Sequence, residues 1–452
     1  MLFGSTRVRT APAPVRSTSL IKALCLCLSL VLFPLSAAPP AAADSTAAPL
    51  TSHLESCLAA PGVRRDVEVV EDPTPEPTDD PLFHTHYDTD VLGKVFEDGA
   101  WQTRFRVYYQ GQQHALAVKV ADLLTRFYCY GRERLDPSGA FISPVHSIAM
   151  PDGSERAEPT NFYLDNGHPG GGRESDGRMY MLQSSTPRNP LEVVREVAHE
   201  FSHLTVPGIH EFSDSAAPED WLNGYLGESL YMEWLGDDTE QTVIPAATVS
   251  NWSAGRQRVL EDAFLKLGPQ RLLREPAAHF WEVAGLLLYL KQLYGTEAMA
   301  RVLKFSNDFR RNTASAITLN MDDALSTEKW NSVAVPGGLA APIDGDADPG
   351  ANPQNSVSIA PGAAVRAWVF LHAGAHRLKI AVDGVNWRLR GARIGSGKAW
   401  APLGTVTAGT ASIDFPASGS GWYETQWRNT GSQPMNLLGW TWQRATGEGT
   451  KQ

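Results

Sequence analysis

The stretch His199-Glu200-Phe201-Ser202-His203 constrains this 452-residue chain more than any other. On a helix, residues four apart lie on one face about a turn from each other, so two imidazoles at that spacing reach a common point. A glutamate beside the first can meet a water held at that point. The pattern therefore supplies two zinc ligands and a general base. The flanks read as a helix. Asn189 suits an N-cap and Pro190 a first helical position. Leu191, Val194, Ala198 and Phe201 recur at helical spacing, Arg195 and Glu196 fall on other faces, and Pro207-Gly208 is a stop signal. The competing reading is an amphipathic helix that carries two histidines by accident.

A catalytic zinc takes three protein ligands and a water, so a third ligand is required. Pro218, Glu219 and Asp220 are good helix-start residues before a second helical pattern, Trp221 to Trp234. This arrangement resembles the gluzincin zinc metallopeptidases (HExxH…E, peptidase MA-like). Their third ligand is a glutamate on the helix after the HExxH helix, in a Trp-Leu-Asn-Glu or Glu-Gly-x-Ala-x-Tyr context. Glu228-Ser229-Leu230-Tyr231 is similar to the second form and Trp221-Leu222-Asn223 to the first, although Gly224 stands where the first form has its glutamate. The resemblance implies His199, His203 and Glu228 as ligands of Zn²⁺ and Glu200 as general base. Tyr231 or His279 would steady the oxyanion, with His210 as a rival. Other candidates for the third ligand are His210, Glu211, Asp214, Glu219 and Glu233. The metzincin pattern HExxHxxGxxH fails, because positions 206 and 209 are Val206 and Ile209.

The likeness extends on both sides. Gly177 to Gln183 reads as a short strand, similar to the edge strand that precedes the zinc helix in this clan and binds substrate backbone by strand addition. Phe280 to Leu290, then Leu293-Tyr294-Gly295 and a further helix, resemble the helical lobe that follows the zinc site. The Gly-rich stretch Asn166 to Gly177 lacks the Lys and Ser/Thr of a phosphate loop and is expected to be a flexible loop near the cleft.

Composition fits export. Residues 1–43 carry Arg7, Arg9, Arg16 and Lys22 without an acid, then an apolar run and Ala41-Ala42-Ala43, the form of a secretion signal. Its core is short for a membrane span. Removing those four positive charges from a formal −11 leaves about −15, a poor balance for nucleic acid or anionic membranes. The mature chain is expected to be secreted or periplasmic, with no membrane span. Cys57 and Cys129 remain after cleavage, and a disulfide between them is the simplest expectation in an oxidising compartment. Cys57 as a thiolate cap on the zinc of a latent precursor is the alternative.

The expected fold class is α+β, a zincin-like domain of a small sheet plus helices over 100–335, followed by an all-β sandwich over 354–452. Residues 44–99 read as an N-terminal arm or linker, with the acidic Pro-rich segment Asp72 to Pro81 and the pair His84 and His86. Residues 336–353 read as a second linker whose Asp344, Asp346 and Asp348 lack the closing glutamate of a calcium loop. Trp368, Trp387, Trp400, Trp422, Trp427, Trp440 and Trp442 are expected mostly in the sandwich core, while any exposed ones would offer stacking faces to sugars. The function these features imply is hydrolysis of peptide bonds in a peptide, protein or glycoprotein substrate. The reading from a different class is a secreted glycan- or protein-binding protein whose zinc site is structural or vestigial.

Overall fold

The computed structural model describes residues 67–445, apart from 98, 138–144, 150–154, 213–216, 268, 270–278, 309, 331, 344–355, 385, 394–400 and 407–410. The expected signal peptide, Cys57, Asp214, Asp344, Asp346, Asp348 and Trp400 lie outside the described residues. So does the expected pairing of Cys57 with Cys129, although Cys129 itself is buried.

The first sheet is built from β1 (Val67–Glu71), β4 (Thr89–Glu97), β5 (Ala100–Tyr109), β6 (Val145–Ala149), β7 (Glu155–Leu164), β8 (Gly172–Ser175) and β9 (Arg178–Met181). Its order is β1-β4-β5-β7-β9-β8, with β6 beside β7. A small hairpin, β2 (Thr78–Asp79) with β3 (His86–Tyr87), stands apart from it. The boundary expected at 99/100 therefore moves. β1 pairs with β4 and β4 with β5, so Val67–Glu71 and Thr89–Glu97 are sheet rather than arm. Their branched residues were masked by the Pro-rich segment between them. His86 pairs with Asp79 across the hairpin at 2.7 Å.

Alternation along β5 sends Phe105 and Val107 to one face and Tyr108 to the other. On the first face lie α1 (His114–Arg134) and α2 (Pro190–Thr205), where Phe201 meets Phe105 with ring centroids 5.8 Å apart. On the second, Tyr87, Tyr108, Tyr163 and Tyr180 form a layer in which Tyr108 and Tyr163 stack at 5.2 Å. Among the described residues, further α-helices are α3 (Asn223–Asp237), α4 (Ala246–Leu267), α5 (Phe280–Tyr294), α6 (Thr296–Ser306) and α7 (Ile317–Leu325).

The edge next to α2 differs from expectation. Arg178–Met181 is interior, pairing with β7 on one side and β8 on the other. The edge is β8, from the Gly-rich stretch expected as a loop. The hairpin turns at Asp176-Gly177, both with positive φ (50° and 75°), the Asp-Gly pair that favours a two-residue turn matching strand twist.

The C-terminal part is a sandwich-like pair of five-stranded sheets. One contains β10 (Ser332–Pro336), β19 (Met435–Arg444), β14 (Gly374–Asp383) and β17 (Ala411–Ala417) in that order, with β12 (Val357–Ile359) also on β19. The other runs β11 (Ala341–Pro342), β13 (Ala364–Leu371), β18 (Gly421–Asn429), β15 (Trp387–Arg393) and β16 (Ala401–Val406). Trp427 of one sheet meets Trp440 of the other at 4.3 Å, marking the core between them. Trp368, Trp387, Trp422, Trp427, Trp440 and Trp442 are all buried, as expected of core rather than stacking residues. β10 and β11 extend the module back to Ser332, so part of the expected linker is strand. No described helix is long and apolar enough to cross a membrane.

Candidate metal centre

The local sequence builds α2 as expected. Asn189 accepts a hydrogen bond from the Leu191 N–H at 3.0 Å, Pro190 opens the helix, and Thr205 is its last residue. His199 and His203 face the same side, ring centroids 4.9 Å apart. Their Nδ1 atoms are already engaged. Nδ1 of His203 lies 3.0 Å from Oδ1 of Asn223, whose Nδ2 donates to the His203 carbonyl at 3.1 Å. An amide oxygen only accepts, so that Nδ1 carries the proton and Nε2 keeps its lone pair. Nδ1 of His199 lies 3.4 Å from Oε2 of Glu228. Metal-bound histidines are characteristically held this way by a second partner.

Both Nε2 atoms converge on one carboxylate oxygen, Oε2 of Glu219, at 3.2 Å from His199 and 3.5 Å from His203. These three residues form the one group of potential ligands found among the described residues. Glu228, the ligand expected from the family resemblance, is placed differently. It is buried, its Oε1 accepts from Arg195 Nε at 2.8 Å, and its Oε2 faces the Nδ1 side of His199. Arg195 in turn lies over the Trp252 ring at 4.8 Å.

Glu200 is 5 % exposed and packs under the edge strand, where a Cβ on Gly172 would come within 2.3 Å of its Oε1. Burial raises its pKa to about 8; the His199 charge opposes this, and Glu196, Glu219 and Glu174 add to it. Burial works against a charged His199, but Glu219 and Glu228 outweigh it and hold the ring up at about 10. His203 is lowered by its burial.

The remaining candidates separate clearly. Tyr231 is fully buried, its hydroxyl 2.8 Å from Thr205 Oγ1 and its ring among Phe127, Phe201 and Trp234. It is a core residue, contrary to expectation, because its position on α3 meets the end of α2 beyond the histidines. The aromatic ring against His199 is Tyr225, edge-on at 4.7 Å. His279 is the N-cap residue of α5, and it is its neighbour Phe280 that packs on Tyr225 at 5.8 Å. His210 packs at a tilt against Trp221, centroids 4.6 Å apart, and bonds Asn312, Glu211 has positive φ, and Glu233 pairs with Lys291. Sequence reasoning passed over Tyr225, Asn223 and Gly172; the one signal for Gly172 was the Asp-Gly turn that makes its segment a strand.

Two cavities flank the imidazoles. One of about 350 Å³ is lined by His203, Glu174, Trp221, Asn223 and Asn307 among others. The other, about 570 Å³, is lined by Gly170 to Gly172, His199, Glu200, Tyr225 and Glu228 among others. β8 contributes to both, so the edge strand runs past the histidines from one to the other.

No known protein-family model matches the chain, and no curated protein matches it in sequence. Similar solved structures include the C-terminal carbohydrate-binding module of a laminarinase from Zobellia galactanivorans. It is 12 % identical with a TM-score of 0.20, over 25 % of this chain and 99 % of that one. A carbohydrate-binding domain of a multidomain xylanase from the hindgut metagenome of Trinervitermes trinervoides is 15 % identical with a TM-score of 0.20, over 25 % of this chain and 98 % of that one. Likeness at this level assigns neither fold nor ligand to this chain.

Proposed function

We propose that this chain is an exported zinc-dependent peptidase of the zincin-like, gluzincin-related type. The observation that carries the reading is the convergence of two imidazole Nε2 atoms on one carboxylate oxygen, each ring's Nδ1 separately engaged, beside a buried Glu200. Zinc held by His199, His203 and a carboxylate would supply Lewis acidity and a bound water of near-neutral pKa. With the charge of a bound cation beside it offsetting its burial, Glu200 would stand ionised, take the proton of the attacking water and pass it to the leaving amine nitrogen. Gly172 above it lets the edge strand close over the carboxylate and exclude bulk water. Among the described residues the outer edge of β8 pairs with no strand, so its backbone groups can bind an extended substrate by strand addition. The flanking cavities then receive substrate side chains on either side of the scissile bond, and Tyr225 is our candidate for steadying the oxyanion. This geometry supports the reading of a peptide or protein substrate, while the described tryptophans of the sandwich are buried.

The test is zinc content together with cleavage of a mixed peptide library. Glu200→Gln should keep zinc and lose hydrolysis by roughly 10²–10⁴-fold, the usual weight of a general base. His203→Ala should lose the metal. Full activity in the first variant, or unchanged zinc in the second, would refute the reading.

A further inference from the structure

We infer that the third zinc ligand is Glu219, on the loop before α3, and that Glu228 is an orienting residue behind His199; this rests on the peptidase reading above. Three observations carry it. The first is distance. A tetrahedral ion with bonds of about 2.0–2.1 Å holds its donor atoms about 3.3 Å apart, and Oε2 of Glu219 stands 3.2 Å and 3.5 Å from the two Nε2 atoms.

The second is how each carboxylate is already used. Oε1 of Glu219 accepts from the Tyr225 N–H at 3.4 Å, in the first turn of α3, which fixes the group and leaves Oε2 for the ion. Glu228 has one oxygen on Arg195 and the other on the far nitrogen of His199, so its contact sets that ring's tautomer and orientation. Its side chain is 2 % exposed against 17 % for Glu219, which is the more open of the two to an arriving ion.

The third is space. A Cβ on Gly224 would lie 2.7 Å from Nε2 of both histidines. Helix α3 comes so close there that only glycine fits, and a glutamate at that position has no room between its backbone and the imidazoles. The family-like position is therefore closed in this chain, and the ligand enters from the loop five residues earlier.

The experiment uses the full chain stripped of metal, titrated with zinc against a chromophoric chelator, with the visible spectrum of the Co²⁺ form read in parallel. Glu219→Gln should weaken zinc by more than roughly 100-fold and change the Co²⁺ bands, because it removes a ligand. Glu228→Gln should weaken zinc by about 10–100-fold, the range for an outer partner, and leave the band positions in place. Glu219→Asp, one methylene shorter, should recover part of the affinity and guards against misfolding of the glutamine variant, as does far-UV circular dichroism of each metal-free protein. Wild-type affinity in folded Glu219→Gln, or a larger loss in Glu228→Gln than in Glu219→Gln, would overturn the inference while leaving a zinc peptidase. Absence of zinc binding in the wild-type chain would overturn both.

Discussion

Removing two hydroxyl groups from α5 should loosen the sandwich from the helices. β13 pairs along its length with β18, but with β11 only at Val365 and Arg366. Helix α5 covers the rest of that edge. The Tyr289 hydroxyl donates to the Trp368 carbonyl at 2.8 Å and accepts from the Trp368 N–H at 3.3 Å. The Tyr294 hydroxyl does the same at Phe370, at 2.6 Å and 3.1 Å. The spacing works because five helical residues rise about 7.5 Å and two strand residues about 6.6 Å. Each Tyr→Phe change leaves one N–H and one C=O of an edge strand without these partners, and all four residues are buried. At about 1–3 kcal/mol per stranded group, each change should cost about 2–6 kcal/mol, the low end applying if water enters. The double variant should cost less than the sum, because the sites share one strand. Urea unfolding followed by tryptophan fluorescence checks this, since the described tryptophans of the module are buried and become exposed when it unfolds. Double-variant stability within about 0.5 kcal/mol of wild type would refute the clamp, for that is the effect of an ordinary surface change.

Gly172→Ala should keep zinc but lower peptidase activity, because its Cβ would meet Glu200 Oε1 at 2.3 Å and push strand and base apart; unchanged activity would show that β8 does not cover the base. Asp90 is buried on β4, and burial raises its pKa to about 7 despite Arg106, 2.9 Å away. Its folded form holds a proton that the unfolded chain releases, so stability should fall as pH rises from about 4 to 7. Asp90→Asn should therefore gain on wild type more at pH 8 than at pH 5; a difference constant with pH would exclude this. A fragment from residue 326 should fold more stably than one from 354, which lacks β10 and β11; equal urea midpoints would make those strands dispensable.

What the sequence made legible was whatever depends on one element at a time. The helix of His199 and His203, its cap at Asn189 and its stop before Pro207 all follow from local chemistry, as does the all-β character of the C-terminal module. The early strands did not show, because Val67 to Glu71 and Thr89 to Glu97 are separated by an acidic Pro-rich stretch that dominates the local composition. Nor did β8: two of its neighbouring glycines suggest a loop, and only pairing with β9 makes Gly172–Ser175 a strand.

The third carboxylate was harder for a different reason, since ligands on separate elements are brought together by how closely those elements pack. Here the closeness has a sequence signal. Gly224 and Gly227 lie three apart on α3 and both face α2: a Cβ on Gly227 would meet Ser202 Oγ at 2.1 Å, and one on Gly224 would meet both imidazoles. Glycine inside a helix costs about 1 kcal/mol against alanine, so two of them on one face mark a contact rather than a break. Once α3 is drawn that near, Glu228, one turn beyond Gly224, falls over Arg195 and the back of His199 rather than in front of the Nε2 atoms. The helix that resembles the family's ligand helix is thus too close to supply the ligand from its own face, and the same closeness sets Glu219, at its N-terminal approach, opposite both histidines.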